Sequence, residues 1–185
     1  MKKIFLTLVM ALFAIGAFAQ NDEVTGVRIP SGYQGFLEMG NTWHFDKDMP
    51  TTIQLSTTHG GFFNEHIFAG LGIAYEWNKD YDLVPLYANI RYVFMSRTVI
   101  SPVLSLRLGS YLGDNIGAYG DLAVGVRFAS KRDFAVNVMV AGTYYDKITR
   151  NYYEEWTDAQ GVWHYENVEK KISPSGIAVR VGIEW

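Results

Sequence analysis

From Tyr33 to the last residue, apolar and polar positions alternate with a period of two, in segments of about nine to twelve residues. The last segment is the clearest. Ile177, Val179, Val181, Ile183 and Trp185 fall on one face of an extended strand, and Ala178, Arg180, Gly182 and Glu184 on the other. Earlier segments repeat the pattern. Tyr33 to Trp43 sets Leu37, Met39 and Trp43 against Gln34, Glu38 and Thr42, with Phe36 out of pattern. Thr52 to Thr58 sets Ile53, Leu55 and Thr57 against Gln54, Ser56 and Thr58. His66 to Trp77 places Ile67, Ala69, Leu71, Ile73, Tyr75 and Trp77 together, opposite Phe68, Gly70, Gly72, Ala74 and Glu76. Segments at Pro85 to Phe94, Pro102 to Tyr111, Tyr119 to Phe128, and from Asp133 continue it, turning Arg91, Arg107, Asp121 and Arg127 to the polar face.

These are eight strands, the smallest even count for an outer-membrane barrel. The fold class read from the pattern is all-β: an eight-stranded antiparallel transmembrane β-barrel. Its apolar face meets lipid and its charged face lines the lumen. Connector lengths agree. The gaps after the second, fourth and sixth strands are short, whereas Asp146 to Ser173 is long. Short turns belong to the periplasmic side and long loops to the outside. Aromatics gather at strand ends: Tyr92, Phe94, Phe128, Phe134 and Trp185 for a periplasmic girdle, Trp43, Tyr75, Trp77 and Tyr144 for an outer one.

The long connection reads as a hairpin between strands seven and eight. A turn at Asp158-Ala159-Gln160-Gly161 pairs Trp156 with Trp163, Glu155 with His164 and Arg150 with Glu169. Carried down unbroken, the same register pairs Val140 with Val179 and Val138 with Val181, so lipid-facing positions meet throughout.

The ends and the composition set the compartment. Lys2 and Lys3 precede an apolar run from Ile4 to Phe18, and Ala17-Phe18-Ala19 offers a cleavage site before Gln20. Residues 1–19 therefore read as a signal peptide, 20–32 as a periplasmic lead-in and 33–185 as the barrel, with no second domain to bind peptidoglycan. The chain has no Cys, so neither a lipidated Cys anchor nor a disulfide framework is expected. Its formal charge of −3 becomes two units more negative without Lys2 and Lys3, which gives nucleic acid no reason to bind.

Several stretches resemble small outer-membrane barrels of Bacteroides-type bacteria. They are Ser56-Thr57-Thr58-His59-Gly60-Gly61-Phe62-Phe63-Asn64 running into Phe68-Ala69-Gly70-Leu71-Gly72, Ser101-Pro102-Val103 with Leu106-Arg107-Leu108-Gly109, and Val124-Gly125-Val126-Arg127-Phe128. Cleavage before a Gln is similar to that group's signals. Such proteins are described as porin-like or outer-membrane β-barrel domain proteins, mostly without an assigned activity, and the architecture resembles OmpA-type and OmpX-type barrels. The resemblance implies that Trp185 is the signal read by the barrel-assembly machinery. The chain departs from the usual pattern in having Trp for Phe there, and Ile183 where an aromatic often sits.

Candidate chemistry follows from the lumen and the hairpin. Glu38, Glu76, Asp121 and Glu184 share the lumen with Arg91, Arg107, Arg127 and Arg180. An eight-stranded barrel has room only for side chains, so these charges are expected to pair and plug it rather than form an ion path. Inner glycines (Gly40, Gly70, Gly72, Gly109, Gly125, Gly182) make room for them. The four His are poor catalysts by position: His59 and His66 sit at or near a periplasmic turn, and His44 and His164 lack an obvious Ser. Their spacing does not suit a closed zinc site, so no metal or cofactor is expected. Tyr152, Tyr153, Trp156, Trp163 and Tyr165 form a possible surface contact, or Trp156 and Trp163 simply clamp the hairpin.

The expectation is thus a monomeric, non-enzymatic barrel in contact with outer-membrane lipid and lipopolysaccharide, serving surface interaction or envelope integrity. The alternatives are a narrow pore for small solutes, a lipid-A-modifying enzyme, and a soluble lipocalin-like binder whose apolar face would point inward.

Overall fold

The computed structural model describes residues 32–47, 49–79, 82–112, 116–130, 134–157 and 163–185, with backbone alone for 150–155 and 164–170. The expected leader and lead-in up to residue 31, the expected turn at Lys131-Arg132 with Asp133, and the expected hairpin turn at 158–161 lie outside the described residues.

Eight strands close into an antiparallel barrel: β1 (Gly32–His44), β2 (Thr52–Phe62), β3 (Ile67–Trp77), β4 (Asp82–Val93), β5 (Ile100–Leu112), β6 (Gly117–Ala129), β7 (Ala135–Tyr145) and β10 (Ser175–Glu184). The order around the wall is β1-β10-β7-β6-β5-β4-β3-β2, so every strand neighbours its sequence neighbour except where β10 closes on both β7 and β1. Closure leaves no barrel edge with unpaired backbone groups. Two further strands, β8 (Ile148–Thr157) and β9 (Trp163–Ile172), form a separate two-stranded sheet between β7 and β10.

The faces are those read from the alternation. Ile177, Val179, Val181 and Ile183 are exposed, while Ala178, Arg180 and Glu184 are buried. Leu71, Ile73, Leu104, Leu108, Leu122 and Val138 likewise stand on the outside. A soluble protein buries such residues and solvates its charges. Here the arrangement is inverted, as in a transmembrane β-barrel. Both aromatic girdles are present on the outer wall, with Tyr92, Phe94, Phe128, Phe134 and Trp185 at one end and Trp43, Tyr75 and Tyr144 at the other.

Three expectations need correction. Phe36 does follow the pattern: it is an inward residue, buried edge-to-face against Phe68 at 4.9 Å. His59 does not lie in a turn, because β2 runs on to Phe62 and places it on the outer wall. The third concerns the hairpin. In the barrel the expected register holds, with Val140 opposite Val179 and Val138 opposite Val181. Above it the register slips by one: Trp156 stands opposite His164, Glu155 opposite Tyr165 and Arg150 opposite Lys170.

The slip has a local cause. Tyr145 N–H still bonds the Pro174 carbonyl, and Ile148 already pairs with Ile172. Two residues, Asp146 and Lys147, therefore face Ser173 alone, which is a bulge. Lys147 takes the left-handed conformation that lets the chain make this step (φ 61°). Asp146 is fixed from three sides. Its N–H donates to the Ala118 carbonyl (2.9 Å), its carbonyl accepts from the Tyr111 hydroxyl (2.6 Å), and its carboxylate accepts from the Ser173 hydroxyl (3.2 Å). The hairpin is a unit set on the rim, not a continuation of the wall.

Candidate functional site in the lumen and on the rim

The lumen residues come from alternate positions of all eight strands, and the structure brings all eight predicted charges inside the barrel. Glu38 on β1 is the hub. Its Oε2 accepts from Arg91 Nη2 on β4 (2.6 Å) and from Arg107 Nη2 on β5. β1 and β5 are four places apart in an eight-stranded wall, so the Glu38–Arg107 tie crosses the full lumen. Arg91 is further held by the Asn89 side-chain oxygen (2.8 Å) and lies 3.9 Å over the Phe36 ring. Arg107 lies 4.8 Å over the Tyr87 ring.

Four of the other charges bridge β6 and β10. Arg180 Nη2 donates to Asp121 Oδ1 (2.7 Å). Arg127 grips Glu184 with two bonds of 2.9 Å, the two-pronged geometry that suits a guanidinium. Arg107 and Asp121 are direct neighbours in the β5–β6 register, yet each takes its partner elsewhere. The inner glycines make this possible at two places. A Cβ on Gly40 would lie 2.5 Å from Arg180 Cγ, and one on Gly182 would lie 2.3 Å from Glu38 Cγ.

Glu76 departs from the expectation that carboxylates pair with cations. Its oxygens accept from the hydroxyls of Thr52 and Tyr145 and from the Gln54 amide (3.4 Å). Tyr145 sits on β7 and Glu76 on β3, again four places apart. This second tie joins a different pair of opposite strands. Neither Tyr145 nor Thr52 was singled out in the sequence. Their signal was present, since both are polar positions on the inward parity of their strands.

The charges do not fill the lumen alone. From the Trp185 end to the middle, Phe36, Phe62, Phe68, Val93, Val103 and Met139 cluster inside. At the hairpin end, Met49, Leu83, Tyr111, Tyr119 and Tyr145 pack with Ile148 and Ile172 from the base of the hairpin. The ion pairs are interleaved with these residues: Glu184 is the register partner of Phe36, and Arg91 that of Phe68.

The described His residues are occupied. His59 meets the Tyr33 hydroxyl at Nδ1 (2.6 Å) and the Thr57 hydroxyl at Nε2 (2.9 Å). His66 Nδ1 donates to the Val93 carbonyl (2.8 Å). His44 Nε2 lies 3.3 Å from Thr52 Oγ1, whose proton goes to Glu76. A hydroxyl donating to a carboxylate is not an activated nucleophile, which needs the His to take its proton. His164 is at a position whose side chain lies outside the described residues, as do those of Tyr152, Tyr153 and Tyr165. Trp156 and Trp163 are exposed, by 50% and 63%.

Trp185 is seated on the closing seam. It exchanges two backbone hydrogen bonds with Gly35, 3.0 Å each. Its indole covers Gly35 so closely that a Cβ there would lie 2.7 Å from the ring, and His59 meets its edge at 6.1 Å.

No family model matches the chain, and no curated protein does. Among solved structures it is similar to Neisserial surface protein A (NspA), with 15% identity, 83% of this chain and 96% of that one covered, and a TM-score of 0.62. It is also similar to the N-terminal β-barrel domain of Pseudomonas aeruginosa OprF (12% identity, 84% and 99% covered, TM-score 0.47) and to a de novo designed transmembrane β-barrel (9% identity, 86% and 99% covered, TM-score 0.47). The likeness to the Neisserial protein is one of fold.

Proposed function

We propose that the chain is an exported, non-enzymatic outer-membrane barrel whose wall and plugged lumen anchor a projecting hairpin, and that this hairpin serves surface interaction or envelope integrity. The observation that carries the reading is the inversion of faces. A closed wall exposes Ile, Leu and Val while Glu38, Arg91, Arg107, Asp121 and Arg180 are buried against one another. Outside a membrane such a wall would aggregate. The leader-like start, the aromatic girdles and the resemblance to Bacteroides-type barrels support the outer membrane as its place. Trp185 serves as the signal for barrel assembly, its seat on Gly35 being taken once the barrel closes.

The filled lumen favours an anchor over a pore. Side chains cross it between two pairs of opposite strands, and apolar and tyrosine side chains pack among the ion pairs. The test has three readouts. Outer-membrane fractions should hold a band that runs faster unheated than boiled. Protease added to intact cells should cut only between residues 150 and 170. The purified protein in planar bilayers should show no steady conductance. A soluble periplasmic band without a heat shift would overturn the reading, and a reproducible single-channel current would replace the anchor with the narrow pore.

A further inference from the structure

The outward face of β1, β2 and β3 carries Leu37, Leu55, Leu71 and Ile73. One group on that face is polar. His59, exposed on β2, meets the Tyr33 hydroxyl at Nδ1 (2.6 Å) and the Thr57 hydroxyl at Nε2 (2.9 Å). Two rings flank the imidazole: Tyr33 nearly parallel at 6.0 Å, and the Trp185 indole edge-on at 6.1 Å. Tyr33 and Trp185 are themselves exposed.

The register fixes the level of this cluster on the wall. Gly35 stands opposite His59 and exchanges two backbone bonds with Trp185, so the three residues lie in one row across the closing seam. That row belongs to the aromatic girdle, and girdle residues sit at the depth of lipid headgroups. Hydrocarbon penalises an imidazole and two hydroxyls, whereas the headgroup zone offers them phosphate oxygens.

The hydrogen bonds leave the cluster with donors to spare. A neutral imidazole donates through one nitrogen and accepts through the other, so one hydroxyl keeps its proton for a further acceptor. A protonated imidazole donates through both, and both hydroxyl protons are then left over beside a positive charge. An anionic oxygen takes such donors in charge-assisted bonds.

We propose that Tyr33, Thr57 and His59 form a cradle for the phosphodiester of a phospholipid headgroup in the leaflet at the Trp185 end. The acyl chains then run along Leu37, Leu55 and Ile73, which continue the outward face toward the bilayer centre. This rests on the reading of the wall as embedded in a membrane.

Native mass spectrometry of the purified full chain, released from detergent micelles, counts the lipid it retains. The probes are phosphatidylglycerol and a galactosyl diglyceride with the same acyl chains and no phosphate. The parent should hold a single phosphatidylglycerol, and the galactolipid on the order of tenfold more weakly. His59→Leu should weaken phosphatidylglycerol retention by about tenfold, and Tyr33→Phe and Thr57→Val by a few fold each. Tyr92→Phe, which alters another tyrosine of the same girdle, should change nothing. Excess inorganic phosphate should leave the lipid in place. Equal retention of the two lipids, parent-like retention by His59→Leu, or displacement by inorganic phosphate would overturn the proposal. Tyr33→Phe and Thr57→Val each remove a hydroxyl from the wall without adding bulk, so they test the cradle even where His59→Leu does not fold. The heat shift of the parent band reads the membrane barrel independently, so failure of that reading is separable from failure of the cradle.

Discussion

The wall of the barrel and the hairpin on its rim are built from the same kind of strand, yet only one keeps the register that the alternation implies. In β7 and β10 each residue has two faces to satisfy. Val138, Val140, Val179 and Val181 must stay outside, while Met139, Ala141, Ala178 and Arg180 must stay inside. A slip of one residue would reverse all of them together. Beyond Tyr145 the wall ends, and a single extra residue at Asp146–Lys147 resets the pairing. Register is rigid where two environments meet the two faces, and a bulge resets it where the wall ends.

The largest way to sharpen that contrast is Glu38→Leu. It leaves Arg91 and Arg107 buried without their shared carboxylate, a loss of about 3–5 kcal/mol. Urea unfolding in lipid vesicles should show the midpoint fall steeply, while hairpin cleavage by protease stays as in the parent. An unchanged midpoint would mean that the pair adds nothing to the wall.

Tyr145→Phe comes next. It removes one of three donors to Glu76 and leaves that carboxylate with Thr52 and Gln54, costing about 1–3 kcal/mol. The tie between β3 and β7 should loosen, seen as faster amide exchange at the hairpin end of both strands. No change in exchange would remove Tyr145 from the account.

Lys147→Gly acts on the joint between the two regions. A side chain in the left-handed conformation costs about 1–2 kcal/mol, part of which glycine returns as unfolded-state entropy. The substitution should slow proteolysis near the hairpin base without moving the barrel's unfolding midpoint. Faster proteolysis would show that the bulge is not held under strain.

The smallest effect belongs to the Glu65–Arg97 bridge between two turns at the Trp185 end. The Arg97 hydrogen bond (3.0 Å) holds the Glu65 carboxyl below its usual pKa. Its contribution is therefore complete above the ordinary carboxylate value of about 4.3 and fades as pH falls through the lower folded one. Glu65→Gln should abolish only that shallow acid-side slope in the unfolding midpoint. A slope that survives the substitution would trace to other carboxylates.

Much of this was legible in the sequence, and the limit has a physical basis. Among the described residues, parity alone names every charge that enters the lumen, because inside and outside are set by the pleat. Parity does not name partners. Glu38 meets Arg91 and Arg107 at 53 and 69 residues' distance, across a lumen whose closure order decides who faces whom. Phe36 misled because an apolar residue on the polar parity looks like an error until the lumen proves to have an apolar layer. Glu76 misled because three neutral donors substitute for a cation. His59 reads as a turn residue because two glycines follow it, whereas β2 continues through them. The bulge was hidden for a simpler reason: a single extra residue between two good patterns leaves both intact.

The central claim is that the alternation divides lipid from lumen. Single cysteines placed in turn from 177 to 184 in this cysteine-free chain, spin-labelled and set in bilayers, test it most directly. At 177, 179, 181 and 183 the labels should be reached by oxygen dissolved in lipid, and at 178, 180, 182 and 184 they should be shielded and immobile. Oxygen access at the even positions with shielding at the odd ones would turn the barrel inside out and contradict the account.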